Sequence, residues 1–310
     1  MHALKLRDFL NKGDTYSLRG LCMLMIIIGH TYNGYPSDSP GYNFPVWLHF
    51  LHFDYWGSIG VAVFLFLSGY GMFFSLQSNR VDKLYMLSKA RRLFQPFVIY
   101  WAVELLTLLL LNRQALSPHI IVEICTFSIH PDIENWFFKV IAGLFVVIIV
   151  LFRLKLNNGR RIGLLTALCV AYIFVMHFFG YGHWWYNTVL CFPLGMLVAC
   201  NRQWFASRNV LIIVLSSFTA ATAFILTRNS NLFHLSLVLL VSYMLRFVDI
   251  RHGLLDYIGR NSFIFYFLEN PVMDHIAIPF YHDFPDYCVM TMIITFFLSW
   301  ICIRLTDKRS

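Results

Sequence analysis

The length of its apolar stretches constrains this chain more than any other feature. Ten of them, at 17–35, 56–76, 92–112, 135–153, 161–180, 184–200, 208–227, 231–249, 254–273 and 287–305, are continuously apolar and of bilayer length. A helix needs roughly 20 apolar residues to cross a hydrocarbon core of about 30 Å. A spanning strand is shorter and alternates in polarity. In hydrocarbon every backbone N–H and C=O must be satisfied within the segment, so blocks of this kind read as helices. The segment 118–130 is apolar but short and ends at His130-Pro131-Asp132, which reads as an interfacial or re-entrant piece. With 58% hydrophobic and only 13% charged residues, the chain lacks the polar surface of a soluble domain, where about 25% of residues are charged. The expected fold is an all-α integral membrane protein with about ten transmembrane helices, forming a single membrane-embedded domain over 1–310.

The basic residues orient these helices. With the N-terminus inside, only Arg113, Lys139 and Arg228 of the 24 Lys and Arg fall outside. This is the positive-inside bias, and it puts both termini in the cytoplasm. It also checks the helix count, because one missed span would scramble the alternation. The net charge of +8 is therefore topogenic. No clustered basic and aromatic stripe marks a nucleic-acid footprint. A cleavable signal peptide is not expected, since the first helix carries Arg19 and His30 and no small-residue cleavage site follows. The seven cysteines show no metal or haem spacing, and no metal is expected. Cys125 and Cys288 both fall toward the outer face, and a bridge between them stays open. Three outer loops, 36–55, 113–134 and 274–286, carry most of the remaining polarity. The first holds His49, His52 and Asp54. The last holds Asp274, His275, His282, Asp283 and Asp286 and no Lys or Arg.

Helix 1 carries the most informative pair. Ten residues separate Arg19 from His30, and eleven steps of 100° return to the same face within about 20° while rising about 16 Å. One face of one helix thus links the cytoplasmic boundary to the outer half of the membrane. Ionisable groups inside a membrane are costly and line cavities or mark function. A neutral imidazole is cheaper than a fixed charge and can take a proton from a hydroxyl. Each residue also has a plainer reading: Arg19 as a snorkelling topogenic residue, and His30 as an interhelical hydrogen-bond partner.

Further stretches extend the pattern. They are Gly60-Val61-Ala62-Val63-Phe64-Leu65-Phe66-Leu67-Ser68-Gly69-Tyr70, Lys89-Ala90-Arg91-Arg92-Leu93-Phe94-Gln95-Pro96, Asn135-Trp136-Phe137-Phe138, and Ile258-Gly259-Arg260-Asn261-Ser262-Phe263-Ile264-Phe265-Tyr266. Together with Arg-x10-His, in this order and across most of the chain, they resemble the motifs of the acyltransferase 3 family of membrane acyltransferases. Two positions depart from that pattern. Lys89 stands where the family's basic cluster usually has its first arginine, and Lys meets a phosphate only as a point charge. Glu269 stands three residues after Tyr266, where the family usually has a histidine.

The resemblance implies transfer of an acyl group, most often acetyl, from cytoplasmic acyl-CoA to a hydroxyl of a carbohydrate or related cell-envelope acceptor, lipid-linked glycans included. It implies that Arg19, Lys89, Arg91 and Arg92 meet the donor's phosphates. His30 would act as general base or transient acyl carrier, and the membrane would be a bacterial cytoplasmic membrane. With no esterase-like domain after the tenth helix, handover is expected within the membrane domain or on a partner. The oligomeric state is not legible. Glu269, with Asn270, is the second catalytic candidate, at a depth similar to His30. Glu104 is a weaker one. His177, His183, Trp184, Trp185 and Tyr186 read as an interfacial aromatic belt, Asn187 as a bond to a neighbouring helix, and Ser68-Gly69 as close helix packing. On the residues alone two other readings stay open: a proton-coupled transporter or flippase of an envelope precursor, and a non-catalytic subunit of an envelope-synthesis complex.

Overall fold

The computed structural model describes residues 10–35, 53–77, 83–110, 136–227, 230–273 and 283–307. Every regular element among them is helical. In chain order these are α1 (Lys12–Gly34), α2 (Phe53–Gln77), α3 (Lys83–Leu110), α4 (Trp136–Arg153), α5 (Asn158–Phe178), a single 3-10 turn at His183–Trp185, α6 (Cys191–Cys200), α7 (Arg202–Ser207), α8 (Asn209–Thr222), which runs into a π turn at Ala223–Thr227, α9 (Ser230–Met244), α10 (Gly253–Arg260), α11 (Ser262–Pro271) and α12 (Phe284–Asp307). Each of the ten apolar blocks contains helix among its described residues. Among the described residues, four helices are long and apolar enough to cross a bilayer unaided, at Tyr55–Gln77, Trp136–Arg153, Asn158–Phe178 and Phe284–Thr306. The protein is a membrane protein, all-helical over the described residues.

Two blocks read from the sequence as single helices are broken. In 184–200 the chain makes the 3-10 turn and a further turn before α6 begins at Cys191. In 254–273 the break falls at Asn261, whose backbone (φ −110°, ψ 16°) leaves the helical basin between α10 and α11. Apolar continuity reports where lipid or core is met, and says nothing about a one-residue change of direction.

The chain divides into two compact units. One comprises Met1–Cys22, Ser58–Met86 and Lys139–Arg260; the other comprises Met23–Gly57, Leu87–Phe138 and Asn261–Ser310. In the first unit, helices cross at glycines. A Cβ on Gly69 of α2 would lie 2.0 Å from the Phe192 carbonyl oxygen of α6, and one on Gly195 of α6 would lie 2.0 Å from that of Phe66. The two backbones therefore touch reciprocally, which is the packing role expected of the Leu-Ser-Gly stretch. The start of α1 crosses α10 in the same way, with Gly20 against the Leu255 carbonyl and Gly259 against that of Tyr16. Polar ties close this corner. Asn11 caps α1 by accepting from the Asp14 backbone N–H at 3.1 Å. Arg251 Nε donates to the buried Asp14 carboxylate at 2.9 Å. Ser17 Oγ donates to Asp256 at 2.7 Å.

The second unit is built on aromatic rings. Phe97 of α3 stacks on Phe138 of α4 at 4.4 Å and meets Phe267 of α11 edge-on at 5.6 Å. Phe137 lies edge-on to Tyr266 at 5.3 Å. Tyr35, Met273, Phe284, Tyr287 and Cys288 form a buried apolar cluster at the ends of α1, α11 and α12. Cys288 is a free thiol, and Cys125 lies outside the described residues.

Candidate active site

His30 and Glu269 lie 239 positions apart in sequence and meet in the second unit. The imidazole Nδ1 is 2.6 Å from Glu269 Oε1, at the short end for a charge-assisted hydrogen bond. The surroundings of the two differ. Glu269 has 1% of its side chain exposed, His30 27%. The carboxylate is enclosed while the ring keeps an open edge. An ionised carboxylate can only accept, so it fixes the tautomer with the proton on Nδ1, leaving the lone pair on Nε2.

Three local features build this pair. First, α1 runs unbroken from Lys12 to Gly34, so one helix carries both Arg19 and His30. Second, α1 and the start of α2 come close at glycines: a Cβ on Gly29 would lie 2.5 Å from the Gly57 backbone nitrogen. A Cβ on Gly57 would in turn lie 3.6 Å from Cδ2 and 3.8 Å from Nε2 of His30. Glycine at 57 therefore leaves space on the lone-pair side of the ring. Third, restarting the helix at Ser262 directs one face of α11 at α1. Tyr266 and Glu269 are three residues apart on that face, and the Tyr266 ring sits edge-on to His30 at 6.3 Å. Asn270 beside Glu269 is buried too.

The remaining candidates are placed as follows. Arg19 is half-buried, and its Nε is buried without an acceptor. On α3, Lys89 is half-buried, while Arg91 and Arg92 are exposed. Arg91 donates to Gln95 at 3.4 Å. Among the described residues, Arg19, Arg91 and Arg92 pair with no carboxylate. The aromatic turn after α5 is tied locally. Tyr172 donates to the Trp185 carbonyl at 3.2 Å, His177 Nδ1 lies 3.3 Å from the Tyr186 hydroxyl, and Lys139 sits over the Trp185 ring at 5.9 Å. Residues 36–52, 111–135 and 274–282, and the side chains of Asp54 and Glu104, lie outside those described, so most of the outer-loop expectations do too. No group of three His, Cys, Asp or Glu among the described residues is placed to hold a metal ion.

Sequence reasoning passed over a second buried histidine. His234 of α9 is 1% exposed. Its Nδ1–H donates to the Asn187 carbonyl at 3.2 Å and its Nε2 accepts from Ser58 Oγ at 3.1 Å. Asn231, with its amide turned to suit, donates to the Tyr186 and Asn187 carbonyls at 3.1 and 3.0 Å. Asn187 thus meets α9, as expected, but through its backbone carbonyl. An ionisable residue within an apolar block was the available signal. With both ring nitrogens satisfied, His234 joins helices, whereas the His30 side chain is 27% exposed.

Fold and site together define a helical membrane protein with a carboxylate-oriented imidazole inside it. The family model described as an acyltransferase domain, that of acyltransferase family 3, matches residues 17–304. The chain belongs to the acyltransferase 3 family and is an acyltransferase. No curated protein and no solved structure matches it.

Proposed function

We propose that this chain is one membrane-embedded domain that transfers an acyl group, acetyl most often, from cytoplasmic acyl-CoA to a hydroxyl of a cell-envelope carbohydrate or related acceptor. The observation that carries the reading is the His30–Glu269 pair at 2.6 Å in a member of this family. His30 Nε2 takes the acceptor's hydroxyl proton as the oxygen attacks the thioester carbonyl. The tetrahedral adduct collapses, the C–S bond breaks, and the departing thiolate recovers that proton from Nε2–H. The new bond is O–acyl, and the proton has moved from hydroxyl to thiol through one nitrogen. Glu269 holds the ring in the useful tautomer and offsets the charge of the imidazolium while it exists. In a second route, Nε2 attacks the thioester carbonyl and the C–S bond breaks to release CoA thiolate; the acceptor oxygen then takes the acyl group as the N–acyl bond breaks, and the hydroxyl proton goes to the thiolate.

The resemblance and the inside bias of the basic residues assign Arg19, Lys89, Arg91 and Arg92 to the donor's phosphates. Arg19, Arg91 and Arg92 lack carboxylate partners among the described residues, which leaves their charge available to an anion. The same bias supports about ten crossings with both termini inside, and the resemblance supports a bacterial cytoplasmic membrane and an acceptor at the outer face near His30. The test is release of CoA thiol from acetyl-CoA by the purified protein in nanodiscs, with candidate sugars, wild type beside His30→Ala. Release that disappears in the variant supports the reading. Equal release removes His30 from the chemistry. Silence in both, together with no acyl-CoA binding, refutes the donor.

A further inference from the structure

Between Glu134 and Asp249 the chain contains no aspartate or glutamate. Cations are present there: Arg153, Lys155, Arg160 and Arg161 gather at the turn from α4 to α5. Beside that turn, within the first unit, lies a cavity of about 460 Å³. Arg153 and Arg161 line it, with the side-chain amides of Gln77 and Asn158 and apolar surface from Ile149 and Phe152.

The two arginines are held differently. Arg161 is fixed: its guanidinium stacks 4.6 Å over the Phe152 ring and donates to Asn158 Oδ1 at 3.2 Å and to the Leu154 carbonyl at 3.0 Å. Its Nε is buried and has no acceptor. Arg153 is exposed, and among the described residues its side-chain partner is the Met86 sulfur at 3.5 Å, a weak acceptor. Neither meets a carboxylate among the described residues. Asn158 opens the 21-residue helix α5, whose first N–H groups add partial positive charge. Positive charge converges on one cavity from two side chains and a helix end, and the segment 135–248, which supplies all three, holds no carboxylate to oppose it.

We propose that this cavity binds an anionic phosphate ester. Guanidinium groups match phosphate oxygens in a bidentate fork, the amides add neutral donors, and the apolar surface accommodates the ester's substituent. Two sources carry this chemistry at the cytoplasmic boundary: the headgroup of an anionic phospholipid and the nucleotide end of coenzyme A. The surroundings favour the lipid. The least buried of the four long apolar helices is α5, so the cavity opens beside a lipid-facing surface, and basic pockets between helices at this boundary take anionic headgroups. The site shares no residue with the His30–Glu269 pair and does not rest on the reading of acyl transfer.

Native mass spectrometry of the full chain, released from micelles carrying phosphatidylglycerol or coenzyme A, tests it. The variants are Arg153→Gln, whose exposed side chain gives up only the Met86 contact, and Lys155→Gln as a neighbouring cation that does not line the cavity. Loss of a charge-assisted bond predicts that Arg153→Gln retains about tenfold less phosphatidylglycerol, while Lys155→Gln matches wild type. A fall confined to coenzyme A supports the phosphate site with the nucleotide as its source. Unchanged retention of both ligands in Arg153→Gln, or an equal fall in Lys155→Gln, overturns the proposal.

Discussion

At the scale of single residues, the His30–Glu269 pair makes a prediction that separates catalysis from packing. In Glu269→Gln the amide is nearly the same size, but its NH2 can donate to Nδ1, which strands the ring proton on Nε2. The rate should fall by roughly 10²- to 10⁴-fold with little change in KM for acyl-CoA. Steady-state kinetics beside a thermal midpoint checks this, and a lower midpoint with a normal rate would make Glu269 purely structural. Gly57 supplies a second prediction. Its space faces Nε2, so Gly57→Val should fold yet lose about tenfold or more in kcat/KM by crowding the reacting groups. Longer acyl chains should lose more than acetyl, and equal loss for every donor would count against a steric cause. Both residues of the pair stood out in the sequence as candidates, because an ionisable residue in an apolar run is conspicuous. Glu269 was legible only in part: as a departure from the family's histidine it looked like a loss, whereas in space it is the group that orients His30. Gly57 was not legible, since its role depends on which ring lies opposite.

At the scale of elements, the crossing of α2 and α6 can be tested within one helix. Gly69 and Gly71 are two residues apart on α2. A Cβ at Gly69 meets backbone oxygen at 2.0 Å, and one at Gly71 meets nothing within 4 Å. Gly69→Ala must push two backbones apart, at a cost of about 1–3 kcal/mol. Gly71→Ala gains helix propensity of about 1 kcal/mol at most. Thermal unfolding in detergent should show a lower midpoint for the first and an unchanged or higher one for the second; the same midpoint for both would mean the helices do not touch there. The tie between α1 and the segment before α10 predicts a pH response. The hydrogen bond to Asp14 raises the Arg251 pKa above its ordinary value, and the Asp14 charge adds to this. A cation raised on folding contributes stability that is present below its unfolded pKa and lost only as pH rises through the folded one. Both lie far above neutrality, so the midpoint lost in Arg251→Gln should be constant between pH 6 and 9. Apolar patterning located these helices but missed the breaks at Asn261 and before Cys191, because a turn needs only one residue to leave the helical basin.

For the whole molecule, the sequence carried the helical class and not the grouping of helices. His30 and Glu269 are 239 residues apart, and both units are assembled from three separate stretches of chain. No local pattern encodes such pairings. The proposed sidedness, by contrast, is argued from the sequence alone, from the bias of lysine and arginine toward the side on which they stay during insertion. It can be tested at two short connections. The turn at 154–157 lies among Arg153, Lys155, Arg160 and Arg161 and should be cytoplasmic. The turn at 180–182, between α5 and the aromatic 3-10 turn, should be outside. An epitope inserted after Gly180, where the backbone already has a φ of +73° and no neighbour lies within 4 Å of a Cβ, should be reached by antibody on intact cells. The same epitope after Leu156 should be reached only once the membrane is opened. The reverse pattern would move the Arg153–Arg161 cavity and the α3 basic cluster to the outer face. Both would then lie away from a cytoplasmic acyl donor, and the proposed direction of transfer would have to be abandoned.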